Sequence, residues 1–554
     1  MVVVNPKRKN WFSAVLALLI LSTILMACSS NGGNEATNAE STKAPDNGAA
    51  APEENGSTYP IKSDKTLTYW GEFPGNLVGI KSAHEEVPFY QEWQNRTGVK
   101  VKFTAPPANQ TKEALNVMLA SGELPDMIEY SFLGFPGGPE KAIKDGYILR
   151  LNDYMEKYAP NLVKYLKANP EIDKAIKTDN GSYYAFPFIR GDESLMTFQG
   201  PIVRQDWLDE LGLPVPETID EWTATLRAFK EKKGAAAPFA VNSKPRVFND
   251  LGNGAFAGAF GVTRNFFISN DGDIKFGPAE PGFKEFLSLF RNWYAEGLID
   301  KNLATADGKA MDANIASGAT GATVGNAGGG IGKWQPLVTS NNPDGILAPA
   351  PYPVLKKGDT PMFGQKDPAY TPYGMVAITA NSKNIELAMK VLDYGYSDEG
   401  HMYFNFGQEG VSYTMEGDYP KYTDLLLKNP DKLAPAQAMS LYIRANYSGP
   451  FVQDKRYIEQ YLQLQTQRDA IGIWSKTDMD KHQMPPVTPT VEESSEYAKI
   501  MTDVDTLVDE MTLKIILGLE PLDSFEKYVE KLKSLKLDRA IEIQKAALER
   551  YKNR

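Results

Sequence analysis

Twice between Thr66 and Tyr130 the chain passes from an alternating apolar run through an amphipathic run to a small residue and glycine. "TLTYWGEF" alternates as a half-buried strand, and "EVPFYQEWQNRTGVKVKFTAPP" reads as a short helix stopped at Thr97-Gly98 and then a second strand. "NQTKEALNVMLASGELPDMIEYSF" repeats the pattern, with a helix stop at Ser121-Gly122, a turn at Pro125 and a buried strand. Strands that alternate with helices predict an α/β lobe with a largely parallel sheet. The stretch from Gly181 to Lys230 holds two extended aromatic runs and then two helices, the second opening with Thr218 and Glu221 as a capping box. The first crossing to another lobe is expected there. "TPYGMVAIT" and the helix "NIELAMKVLDYGY" mark a return, and from the second capping box, Thr490 to Glu493, the chain is mostly helical to its end. The body of about 490 residues from Lys65 onward is too long for one hydrophobic core. The expected first lobe covers 65–190 and 373–415, and the second covers 191–372 and 416–554.

The start of the chain has a different character. Lys7, Arg8 and Lys9 precede seventeen mostly apolar residues, Trp11 to Ala27, and the only cysteine, Cys28, follows directly. That is the layout of a secretory signal over 1–27; a retained anchor helix is the alternative, although seventeen residues stand at the short limit for a span. Leu25-Met26-Ala27-Cys28 resembles the lipobox of bacterial lipoproteins, which implies a diacylglyceryl group on the Cys28 sulfur and cleavage before it. Residues 28–64, rich in Asn, Gly, Ala, Ser and Glu, have no apolar period and read as a disordered tether.

Composition excludes several classes of function. Taking residues 1–27 away removes three cations and no anions, so the formal charge goes from −11 to −14, and nucleic acid is not an expected partner. One cysteine leaves no internal disulfide, no cysteine-ligated zinc and no cysteine nucleophile in the body. His84, His401 and His482 lie far apart with no metal-ligand spacing, so each is expected to be a packing or surface residue. No metal or cofactor is expected. The run "GATGATVGNAGGGIGKWQP" fails as a phosphate loop, because Ala327 stands where its first glycine belongs and Trp334 where the magnesium-binding hydroxyl belongs. "LGNGAFAG" fits G-x-G-x-x-A through Gly252, Gly254 and Ala257 but lacks a preceding strand.

The strand with Trp70, the "GELPDMIEY" turn, "YYAFPF", "VRQDWLDELGLPVPETIDEW", the small-residue run before Trp334, "YGMVAIT" and the closing helices occur in an order that resembles family 1 extracellular solute-binding proteins. Those are the receptors of carbohydrate-type ABC importers, and in Gram-positive bacteria they are membrane lipoproteins. The resemblance implies a two-lobed periplasmic-binding-protein-like α/β fold (class II), with hinge segments crossing between the lobes and a helical C-terminal region. It also implies a monomer on the outer face of the cell membrane that presents a carbohydrate to permease subunits.

The candidate ligand residues are aromatics at predicted strand ends and in Gly/Pro-rich loops, with polar neighbours, since sugar C–H faces pack on aromatic planes while hydroxyls need directed partners. They are Trp70, Glu72, Glu129, Tyr130, Phe132, Tyr184, Phe188, Arg190, Arg204, Asn253, Trp334 and Tyr373, with Phe135, Phe186, Tyr370, Asp126 and Gln408 in reserve. The resemblance puts a stacking aromatic near Trp334; a Gly-rich loop with the Trp packed beneath it is the competing reading. Glu72 and Glu129 are the one carboxylate pair that a surface glycoside hydrolase could use, but the eight strand-helix units of a hydrolase barrel are missing, so binding is preferred over catalysis. A receptor for a peptide or other polar solute, and an adhesin without an enclosed cleft, complete the range of functions compatible with this chain.

Overall fold

The computed structural model describes residues 58–108, 110–241 and 254–554, with the side chain of Pro372 left out. Cys28, the signal, most of the expected tether and Asn253 lie outside the described residues.

Two sheets with separate cores form the two lobes. The first has six strands in the order Val452–Gln453, Phe186–Arg190, Tyr370–Ile378, Met127–Glu129, Thr66–Trp70, Lys100–Thr104. Five run the same way, and Tyr370–Ile378 is antiparallel to both its neighbours. The helices Pro88–Thr97 and Thr111–Ser121 supply the crossovers that parallel neighbours require, and they stop at Gly98 and Gly122. The second sheet has four strands in the order Leu347–Pro349, Gln199–Arg204, Ala322–Asn326, Phe239–Ala240. The two-lobed α/β fold is therefore the one expected.

Both capping boxes form. Thr218 Oγ1 accepts from the Glu221 backbone N–H at 3.2 Å while Glu221 accepts from the Thr218 N–H at 3.1 Å, and Thr490 and Glu493 make the same exchange at 3.3 and 2.9 Å. The second box opens the helix Val491–Ile516, whose Ile500, Val504, Val508, Ile515 and Ile516 join the second lobe's core. The last helix, Leu537–Lys552, leads back to the first lobe, where Arg550 and Arg554 both hold Asp179.

One boundary moves. The sequence pattern returns the chain to the second lobe after residue 415, yet Val452–Gln453 pairs with Ile189 and Arg190 in the first sheet. A two-residue strand carries no period that could betray it. It is held by Phe451, fully buried between Phe188 and Phe404 with ring centroids 5.2 and 5.1 Å away.

Candidate functional site

Because five strands of the first sheet run one way, their carboxyl ends share one edge: Trp70, Thr104, Glu129, Arg190 and Gln453. All three connections to the second lobe leave or enter at that edge, between Arg190 and Gln199, before Tyr370, and after Gln453. Ligands of open α/β sheets bind outside such an edge. Across from it the second sheet presents the start of Gln199–Arg204 and the end of Ala322–Asn326, where Gln199 Nε2 donates to Asn326 Oδ1 at 3.2 Å.

Glu129 anchors the first lobe's side. One oxygen accepts from the Tyr69 hydroxyl at 2.5 Å and the other from an Arg444 amino group at 2.8 Å. Arg444, only 4 % exposed, also donates to the Tyr90 hydroxyl and, through Nε, to the Ser448 carbonyl at 2.5 Å. Burial works against its charge, but Glu129, Tyr90 and Tyr69 outweigh burial and hold the guanidinium protonated. Tyr447 places its half-buried ring 5.0 Å from that guanidinium. Its hydroxyl is pushed up by burial and then by the Glu129 charge.

His84 lies behind this group, stacked on Phe103 with ring centroids 5.1 Å apart and with Nε2 3.3 Å from the Glu72 carbonyl. Burial and the Arg444 charge lower its pKa to about 4, so it stays neutral and supports the loop that carries Glu72. The exposed Glu72 carboxylate accepts from the Thr111 hydroxyl. Half-buried Tyr130 is fixed by its backbone N–H, which donates to the Met375 carbonyl at 3.1 Å.

The neighbouring stretch of Tyr370–Ile378 carries a register shift between Thr371 and Val376. Gly374 takes φ 71° there, and a Cβ on it would stand 2.8 Å from the Gly449 nitrogen, so only glycine lets this bulge meet the 448–449 turn. The bulge leaves Tyr373 37 % exposed. Its hydroxyl accepts from Arg190 at 2.5 Å and donates to Asp367.

Glu72, Glu129, Tyr130, Arg190 and Tyr373 therefore share this edge, while other expected ligand residues go elsewhere. Phe132 and Phe188 are fully buried in the first core, and Trp70, although it ends a strand, is covered there as well. Tyr184 precedes the opposite end of its strand and shares a 2.5 Å hydrogen bond with the buried Tyr370 hydroxyl. Arg204 ends its strand away from the edge and forks onto Asp206 at 2.8 and 2.6 Å. Trp334 is a core residue of the second lobe: its Nε1 donates to Asp312 at 2.7 Å, and a Cβ on Gly325 would stand 2.6 Å from its ring. The small-residue run is thus explained by a Trp packed beneath it. Of the reserve residues, buried Asp126 accepts from Thr68 and Ser382 at the strands' far end, and Gln408 sits in an exposed turn.

Sequence reasoning misses Arg444, Tyr447, Asp367 and Gln453. "IRANYSG" has neither a period nor a motif, and Asp367 lies in an irregular connection. The remaining histidines are structural: His401 Nε2 lies 3.0 Å from Asp454, and His482 Nδ1 lies 2.7 Å from the Ile268 carbonyl. Among the described residues no group of three or more His, Cys, Asp or Glu is placed to hold a metal ion, and no described helix is long and apolar enough to cross a membrane.

Comparison with known proteins places this geometry. The profile of the bacterial extracellular solute-binding protein family matches residues 82–402. The fructooligosaccharide ABC transporter substrate-binding protein FusA of Streptococcus pneumoniae is 28% identical over 428 residues, 73% of this chain and 72% of that protein. Lipoprotein LipO of Bacillus subtilis is 25% identical over 402 residues, 69% of this chain and 74% of that one. Among solved structures, the alginate-binding protein AlgQ2 is similar with a TM-score of 0.74 at 26% identity, over 88% of this chain and 99% of that chain.

Proposed function

Since this chain belongs to the bacterial extracellular solute-binding protein family, we propose that it is the lipid-anchored receptor of an ABC importer, holding an oligosaccharide between its lobes and delivering it to a membrane permease. The observation that carries this reading is the row of partly exposed tyrosines, Tyr130, Tyr373 and Tyr447, beside Glu72 and Glu129 at the carboxyl edge of the first sheet. Tyrosine planes suit the C–H faces of sugar rings at small cost in rotamer entropy. A carboxylate oxygen has two lone pairs, so Glu129 keeps acceptor capacity for a ligand hydroxyl beyond its bonds to Tyr69 and Arg444. The relative FusA, named for fructooligosaccharide, supports the carbohydrate class.

In this reading Cys28 carries the acyl chains, residues 28–57 belong to the tether, and the body acts as a monomer on the outer face of the membrane. Closure follows from tighter binding to the closed arrangement, since equal affinity for both would shift nothing. In this reading the site binds its ligand without reacting on it, in line with the relative FusA, which is named a substrate-binding protein of an ABC transporter.

Titration calorimetry against neutral oligosaccharides and peptides tests the reading. One saccharide should bind, and Tyr447→Ala should weaken it by about 1 to 3 kcal/mol with the melting temperature kept. Heat from peptides alone would move the protein to the peptide-receptor class, and release of reducing ends that stops in Glu129→Gln would make it a hydrolase. Loss of membrane association in Cys28→Ala tests the anchor.

A further inference from the structure

Arg190 stands where the lobe connections meet the first sheet, and its guanidinium reaches into all three. It ends the strand from which the first connection starts. One amino group donates to Gln453 Oε1 at 2.8 Å, at the head of the third connection, and the other to Asp367 Oδ2 at 2.7 Å, in the second. That second amino group also meets the Tyr373 hydroxyl, which donates onward to Asp367. The group is shielded: the Arg190 side chain is 8% exposed and that of Asp367 17%.

The members belong to different bodies. Arg190, Tyr373 and Gln453 sit in strands of the first sheet, and Asp367 does not. Its backbone N–H donates to the Met196 carbonyl at 2.8 Å, and two residues earlier Gln365 Oε1 accepts from the backbone N–H groups of Phe198 and Gln199 at 2.7 and 3.2 Å. Gln199 opens a strand of the second sheet, and the Tyr352 hydroxyl ties it further, donating to the Gln199 carbonyl at 2.6 Å while accepting from the Gln365 N–H at 2.8 Å. Asp367 thus stands on the second lobe's side of the joint, two residues before Ala369, whose carbonyl accepts from the Arg190 N–H at 2.7 Å and begins the first lobe's side.

We propose that Arg190, Asp367 and Tyr373 form a clasp across the joint that sets the angle between the lobes, with Arg190 as its positioning residue and Tyr373 as its cleft-facing member. A rotation that carried Asp367 away would leave a buried guanidinium without its carboxylate, and such a separation is expensive, so the clasp favours one discrete arrangement over a continuum. Tyr373 opens the clasp to the cleft: a polar group binding there competes for the same Asp367 oxygen. This last link rests on the receptor reading, whereas the clasp holds in the ligand-free protein.

The test is therefore run without ligand. In a Cys28→Ser background, spin labels are attached at Val117→Cys on the first lobe and Leu519→Cys on the second, positions 70% and 71% exposed, and the distance distribution between them is read by pulsed dipolar spectroscopy. With the clasp intact one narrow distribution is expected. Asp367→Ala should broaden or shift it, Arg190→Lys should broaden it less because it keeps the charge without the fork, and Tyr373→Phe should give the smallest shift. Should Asp367→Ala fail to fold, the other two variants decide the matter. Distributions matching the parent in every folded variant, with only the melting temperature lowered, would make the cluster purely structural and overturn the proposal.

Discussion

Both lobes have aromatic cores, but they place their buried charges differently. The second is built on aromatic packing: Phe239, Phe256, Phe290 and Trp293 meet largely edge to face, with Phe239–Phe256 at 5.1 Å and 73° and Phe256–Trp293 at 5.5 Å and 79°. The first also has an apolar core, but at its strand ends it buries Arg190, Arg444 and His84, with half-buried Glu129 among them. Aromatic packing stabilises directly. A buried ion pair does so weakly at best and is ruinous when half removed; the second lobe holds one, Arg204 with Asp206, away from the edge, whereas the first gathers Arg190 with Asp367 and Arg444 with Glu129 at it. The second lobe's facing edge ends instead in the small-residue run 327–332.

The contrast between the lobes is tested hardest at Trp334. As a core residue, Trp334→Ala should cost about 3 to 5 kcal/mol of stability, read from denaturant unfolding, while the folded fraction keeps its ligand affinity. A normal unfolding midpoint with binding lost would place the ring in the cleft instead.

On the first lobe, Arg444→Met should cost about 3 kcal/mol, since it strands Glu129 beside Tyr69. Adding Glu129→Gln should recover part of that loss. A double variant as unstable as the sum of the singles would show that the pair is not coupled.

Acid should act next, on two groups of the first lobe. The folded-state pKa of His84 is lowered from 6.5 to about 4, first by burial and then by Arg444. Its contribution is therefore fully present above pH 6.5 and is lost as pH falls toward 4, a change on the order of 2 to 3 kcal/mol. Asp393, raised to about 6 by burial, has the opposite sign: its charge penalises the fold above pH 6, and protonation relieves that. Across pH 6.5 to 4 the two groups largely offset each other in the parent, so His84→Gln should gain melting temperature relative to the parent as the pH falls; parallel pH profiles would count against His84.

The smallest expected effect is at the helix starts. Thr490→Ala should cost about 1 kcal/mol, at a helix start that meets the first lobe where the Asp179 N–H donates to Thr488, and Thr218→Ala a similar amount within the second lobe, with ligand affinity unchanged in both. A change in affinity from Thr490→Ala would mean that its helix communicates with the cleft.

Much of this architecture is legible along the chain because its causes are local. Alternation in "TLTYW", the glycine stops at 98 and 122, and the two T-x-x-E boxes act within a few residues, so pattern and propensity suffice to read them. The edge formed by Glu72, Glu129, Tyr130, Arg190 and Tyr373 is also approached from sequence, since strand ends are where an α/β sheet keeps its ligand.

Burial is not legible. Trp70, Phe132, Tyr184, Phe188 and Trp334 have the same side-chain chemistry whether they face a sugar or a core, and only the sheet's direction and the helices laid over it assign them to cores. Nor could spacing bring Arg444 to Glu129, 315 residues away, or Asp367 to Arg190, 177 residues away. Local rules shape each strand and helix, but a charge is tolerated in the interior only where a partner arrives, and that arrival depends on how the whole chain crosses between its lobes.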